Sequence, residues 1–216
     1  MENVENEYSN STEKSASGEK KIVLPGELVF DSPRRQYGTY IENGKTYAAV
    51  ISLLQDDRIV PLKGKYLPNP GDMVVGIVEE ERFNGYTVDL NSPYSGQLSS
   101  RDLRDDYKVG DIMFVKIINV DEVNNAILAD PRRLYGGEVL EVESVKIPRV
   151  IGRNMSMLNM LREYTGVDLF VGKNGRIYLK GANSAVAVEA ILKIAREAHT
   201  TGLTDRVKEF LEQNKG

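Results

Sequence analysis

Gly71-Asp72-Met73-Val74-Val75-Gly76-Ile77-Val78, then Gly85-Tyr86-Thr87-Val88-Asp89-Leu90, then Ser95-Gly96-Gln97-Leu98 form an ordered set of short apolar runs separated by turn residues. Each run is too short for a helix and rich in β-formers, so each reads as a strand. Pro68-Asn69-Pro70-Gly71-Asp72 punctuates the chain just ahead of them. With two further runs downstream, the pattern predicts strands at 73–79, 85–90, 97–98, 112–120 and 126–129. Five short strands without a helical period suit a small closed barrel.

Upstream, Tyr40-Ile41-Glu42, Asn43-Gly44, Lys45-Thr46-Tyr47 has the form of a hairpin with a two-residue turn. Ile22-Val23-Leu24, Ala49-Val50-Ile51 and Arg58-Ile59-Val60 extend a strand-rich module over 22–65. Residues 1–21 carry almost nothing apolar beyond Val4 and Tyr8, and are expected to be a disordered tail. Downstream of Tyr135-Gly136-Gly137 the pattern becomes strand, helix, strand, strand, helix. The strand is expected over 138–147. Ser156 is expected to cap a helix carrying Met157, Leu158, Leu161 and Tyr164 that Gly166 stops. Strands at 167–171 and 176–180 turn at Asn174-Gly175, a helix opens at Ser184, and a short helix follows Thr204. The fold class is therefore multidomain: an N-terminal β module at 22–65, a five-stranded barrel at 66–133, and an α+β domain at 134–216.

Composition narrows the function. The 216 residues include no cysteine and one histidine, His199, which excludes disulfides, a thiol nucleophile and a cysteine-ligated zinc. The longest apolar runs are too short to span a bilayer, and the acidic start lacks the form of a secretory signal. A soluble, cytoplasmic protein is expected. Formal charge is −4, and residues 66–133 hold 7 Lys and Arg against 12 Asp and Glu. Any nucleic-acid site must then be a local basic lining. The acidic pairs Asp56-Asp57, Asp105-Asp106 and Asp121-Glu122 sit beside turn residues and read as solvated loops. There is no phosphate loop of the Walker type and no dinucleotide fingerprint, so neither an enzyme nor any cofactor or metal is expected.

The ordered set in the barrel is similar to OB-type RNA-binding modules, and that resemblance implies Phe83, Tyr86 and Tyr94 as stacking rings, with Arg82, Arg101, Arg104, Lys116, Arg132 and Arg133 as phosphate contacts. In the third domain, Arg149-Val150-Ile151-Gly152-Arg153-Asn154-Met155-Ser156 precedes a helix. There Arg149, Gly152, Arg153 and Asn154 are candidates for holding a phosphate.

The ordered set in the barrel resembles the OB-type RNA-binding module named after the largest protein of the small ribosomal subunit. The order around Val150-Ile151-Gly152 resembles the KH domain, whose loop ends in a second glycine where this chain has Met155. In series, the β module beginning Val23-Leu24-Pro25-Gly26-Glu27, the OB module and the KH-like domain resemble the cap subunit of the archaeal RNA exosome that carries a KH domain. The resemblance implies a non-catalytic subunit that binds single-stranded RNA with A-rich tails favoured. Its partners would be a hexameric ring of phosphorolytic nuclease subunits, docked through 22–65, and two further caps of the same or the zinc-ribbon type. The alternatives are a translation or transcription factor using the same modules, and a purely structural scaffold.

Overall fold

The computed structural model describes residues 21–214, apart from positions 35, 37, 56, 102, 104, 199 and 201. The expected tail over 1–20, Asp56, Arg104 and His199 lie outside the described residues. The described residues divide into two compact units, one up to Val60 and one from Pro61.

The first unit holds strands β1 (Lys21–Val23), β2 (Leu28–Phe30), β3 (Thr39–Glu42), β4 (Lys45–Ala48) and β5 (Ile51–Gln55), and β6 (Arg58–Lys63) begins in it. They make two three-stranded sheets, in the orders β1-β5-β6 and β2-β4-β3. The Asn43-Gly44 hairpin closes as its sequence dictates. Glu42 faces Lys45, and both turn residues take positive φ, 49° and 74°. Val23, Ala48 and Ile59 are buried together as its small core.

In the second unit, β7 (Met73–Arg82), β8 (Gly85–Asp89), β9 (Gly96–Ser99), β10 (Ile112–Val120) and β11 (Ala126–Leu134) close into a barrel. The order is β7-β8-β9-β11-β10 and back to β7; only the β9–β11 pair is parallel. That is OB-type topology. Alternation places Val74, Val88, Leu98, Met113, Val115, Ile117 and Leu128 inside. Gly96 is there because a Cβ would stand 2.6 Å from the Leu128 Cδ1. The last strand, expected to stop at 129, runs on to Leu134. Pro131 is tolerated because the pairing slips opposite it, between Phe114 and Lys116, and Asp130 turns to a positive φ of 52°.

The rest of the unit contains β12 (Glu138–Glu141), α1 (Ile147–Ile151), α2 (Ser156–Thr165), β13 (Asp168–Val171), β14 (Arg176–Lys180), α3 (Ser184–Glu197) and α4 (Leu203–Gln213). The antiparallel sheet has the order β12-β14-β13. Two local expectations are corrected. The strand expected over 138–147 ends at Glu141, because Pro148 starts a helix readily and Ile147 and Val150 turn inward on it. Ser156 is the first helical residue of α2 and makes no cap bond; the capping position is Met155, in the left-handed conformation.

β14 is buried on both faces. Ile177 and Leu179 join Leu169, Leu161, Ile191 and Ile194 under the helices. Tyr178 turns the other way and packs with Val75 and Leu134 of the barrel. The hairpin tip reinforces this seam. Asn174 Nδ2 donates to the Val75 and Leu90 carbonyls at 2.8 and 2.9 Å, and its Oδ1 accepts from the Val75 N–H at 3.2 Å. Arg176 donates to the Asp89 carboxylate at 2.6 Å and to Glu141 at 2.8 Å.

Candidate nucleic-acid interface

The outward faces of β8, β9 and β11 border a cleft of about 570 Å³, within the usual size range of ligand sites. Tyr86, Gln97, Ile118, Ile127, Arg82, Asn84 and Ser99 are among its lining residues. OB barrels take oligonucleotides on this face, over the second and third strands.

Tyr86 is held rather than loose. Its ring meets Tyr107 edge-on at 5.7 Å, and its hydroxyl accepts the Tyr107 N–H at 3.1 Å. Phe83, in the β7–β8 turn between the lining residues Arg82 and Asn84, is fully exposed and packs on nothing that could explain a phenyl ring there. Arg101 is exposed just beyond β9, where the Ser100 N–H reaches the Asn84 carbonyl at 3.1 Å. Arg82 is exposed and paired with Glu80 at 2.9 Å. Register brings Lys116 alongside the cleft wall, opposite Ala129. Tyr94, half-buried in the turn before β9, is not among the lining residues.

The neighbouring arginines Arg132 and Arg133 part company. Arg133 is turned in to Asp111 and lies over the rings of Tyr107, at 4.7 Å, and Tyr135, at 5.7 Å. The hydrogen bond from Arg133 to Asp111 holds the guanidinium's pKa above its ordinary value, so this charge belongs to the framework. Arg132 is exposed and lies 4.7 Å over the Phe170 ring.

The second set lies on the α1–α2 connection. Arg149 is exposed on α1, and Arg153, Asn154 and Met155 are exposed in the turn that follows Gly152. Gly152 has φ 75°, and a Cβ there would sit 2.7 Å from the Met157 nitrogen, so only glycine fits. Asn154 and Met155 are left-handed too, at φ 51° and 62°. None of these residues lines the barrel cleft.

The loop acids have visible employment. Asp121 Oδ1 accepts the N–H groups of Val123 and Asn125 at 3.0 and 2.7 Å. Asp111 accepts the Lys108 N–H at 2.7 Å. Among the described residues no group of three or more His, Cys, Asp or Glu could hold a metal ion. The sequence did not single out Asn84, Gln97 and Ser99; Gln97 and Ser99 alternate with the buried Gly96 and Leu98 of β9, and Asn84 sits in the turn before β8.

No family model matches the sequence. Individual relatives do. The chain is 37% identical over 218 residues to the exosome complex component Rrp4 of Pyrococcus furiosus, covering 89% of this chain and 83% of that one. It is 39% identical over 212 residues to the Rrp4 of Methanothermus fervidus, covering 89% and 96%. A crystal structure of a protein assigned as an exosome complex RNA-binding protein superposes with a TM-score of 0.62 at 37% identity, over 69% of this chain and 97% of that one. Identity at this level, running through the β sheets, the barrel and the α+β region alike, cannot come from one shared module: the chain belongs to the Rrp4 family of exosome complex components.

Proposed function

We propose that this chain is a non-catalytic, RNA-binding cap subunit of an exosome complex. It lays single-stranded RNA in the barrel cleft and feeds it to a hexameric ring of phosphorolytic nuclease subunits, with A-rich tails favoured. The carrying observation is the cleft itself, with the pinned ring of Tyr86 in its lining and the bare ring of Phe83 next to the lining residues Arg82 and Asn84, on a chain of this family. Rings stacked on bases with cations on the phosphates are the usual means of holding a single strand. The α+β region is read as a KH-like domain, supported by its strand-helix-helix-strand-strand-helix order and the Gly152 turn.

Docking to the ring is assigned to residues 22–65. On β1 and β5 the register sets Ile22 beside Leu53, on the face opposite the buried Val23 and Ser52. Ile22, Leu24 and Ile51 are exposed there, an apolar surface of the kind that protein partners cover. Two further caps, of the same or the zinc-ribbon type, would complete the assembly in the cytoplasm.

Mass measurement on the natively purified protein tests this. Ring subunits copurifying with three caps, this chain among them, are expected. A chain recovered free of any ring would favour a translation or transcription factor built from the same modules.

A further inference from the structure

We infer that Arg132, Phe170 and Lys116 form a second contact for single-stranded RNA, at the seam between the barrel and the α+β region. There the strand is taken over as it leaves the cleft. This rests on the RNA-binding reading above and extends it to residues on two parts of the unit.

The cleft wall on β11 includes Ala129, Asp130 and Pro131, and Arg132 is the next residue, about 3 Å further along the strand. Lys116 faces Ala129 across the β10–β11 pairing, and Arg132 faces Phe114. On β10, Phe114 and Lys116 point outward while Met113, Val115 and Ile117 point into the barrel. The two cations thus border the cleft on its side toward the seam.

The chemistry of the spot is that of a base platform. The Arg132 guanidinium lies over the half-buried Phe170 ring, which leans on Phe114 at 5.3 Å and Tyr178 at 6.2 Å. A guanidinium supported on one face by a ring keeps its other face for a planar partner, and bases stack on arginine planes as they do on aromatic rings. Among the described residues Arg132 forms no ion pair, in contrast to Arg133, which is held by Asp111. Lys116 is exposed within reach of the same stretch and suits the phosphate.

The platform can serve only if its halves stay in register, since Arg132 comes from β11 and Phe170 from β13. The hydrogen bonds of Asn174 to Val75 and Leu90, and those of Arg176 to Asp89, hold them there. The seam is a clamped joint.

The test is fluorescence anisotropy of the full chain with labelled single-stranded oligoribonucleotides lengthened one nucleotide at a time. The unmodified protein is expected to gain affinity stepwise once the RNA outgrows the cleft. Arg132→Gln should leave the shortest binding oligonucleotide unaffected, weaken the longer ones about tenfold, and lower the salt slope for them by about 0.7. Arg132→Lys should recover the slope but not the affinity, because it restores charge without the plane. An unchanged thermal midpoint confirms that the variants fold. Equal affinity of Arg132→Gln and the unmodified chain at every length overturns the inference while leaving the cleft reading intact. An equal loss at every length also overturns it, since the residue would then act only through overall charge. Failure of the unmodified chain to bind any of the RNAs removes the cleft reading and this inference together.

Discussion

In the barrel cleft, the groups that face a ligand are side chains placed by strand register, whereas the loop between α1 and α2 offers backbone. Tyr86 is fixed by its neighbours on β8 and β9 and by the Tyr107 contact before any ligand arrives. Little ordering cost remains to be met on binding. A KH-type grip by the loop, as proposed, would need close approach to its main chain, which glycine permits and larger residues obstruct. Here Met155 holds the left-handed conformation that a second glycine would take freely, and its side chain is half-exposed. On the proposed function the two surfaces would grip differently: the cleft by preset rings, the loop by Arg149 and Arg153 alone.

The largest expected effect comes from separating the two surfaces. Asn174→Ala removes three buried hydrogen bonds to β7 and to the end of β8 and strands the Val75 amide and two carbonyls. A loss of about 4 kcal/mol is expected from groups worth about 1–3 kcal/mol each when left unpaired. Urea unfolding followed by near-ultraviolet circular dichroism measures it, and a loss below about 1 kcal/mol would mean that the seam does not hold the unit together.

Next in size is Tyr86→Ala, which should weaken single-stranded RNA binding by about 1–3 kcal/mol, the usual worth of one stacked base. Charge removal at Arg149 and Arg153 together should cost less and act chiefly through the salt slope. If titrations in rising salt rank the two the other way, the loop and not the cleft is the main grip.

Met155→Gly sharpens the contrast from the loop side. A left-handed residue with a side chain costs about 1–2 kcal/mol, and glycine loses part of that gain through its freedom in the unfolded chain. A net stabilisation of about 0.5 kcal/mol is expected. RNA affinity should rise with it, and by the same factor in the Tyr86→Ala background. A glycine variant that binds no better shows that the backbone of this loop does not meet RNA.

The smallest effect is on pH dependence. Burial pushes the Asp111 carboxyl upward, but the hydrogen bonds from the Lys108 N–H and from Arg133 outweigh it and leave the group below its ordinary 3.8. A folded-state pKa below the unfolded value means that the stabilisation is fully present above the unfolded value. It is lost as pH falls through the folded one. Thermal melts from neutral pH down to about pH 3 should show this decline, and Asp111→Asn should be less stable at neutrality yet flatter toward acid. An unaltered acid slope in the variant would assign the decline to other carboxylates, such as Glu197, which Lys193 and Arg206 hold low.

Most of the architecture was legible because local physics and the tertiary answer agree. Asn43-Gly44 can hardly be anything but a tight turn, and Val74, Val88, Val115 and Leu128 alternate with outward residues as a barrel wall must. Where they disagreed, long-range contact won. The apolar stretch to residue 147 reads as strand, yet Ile147 and Val150 reach the core only by turning into a helix. β14 looks half-polar in sequence, yet Arg176, Ile177, Tyr178 and Leu179 are all buried because helices cover one face and the barrel the other.

The candidate site divides in the same way. The sequence by itself determined the inventory: short barrel strands, exposed rings and arginines between them, a glycine turn before a helix, and no cysteine. These follow from residue type and spacing over a few positions. Only the tertiary structure decided which arginine is available, since Arg132 and Arg133 are adjacent and chemically identical. One points across a strand to Phe170 and solvent, the other back to Asp111 and two tyrosines. Likewise Asn174 reads as a turn residue and turns out to join two folds, because its bonding partners lie 99 and 84 positions away. Pairings at such separations depend on how the sheets pack, and no local pattern encodes them.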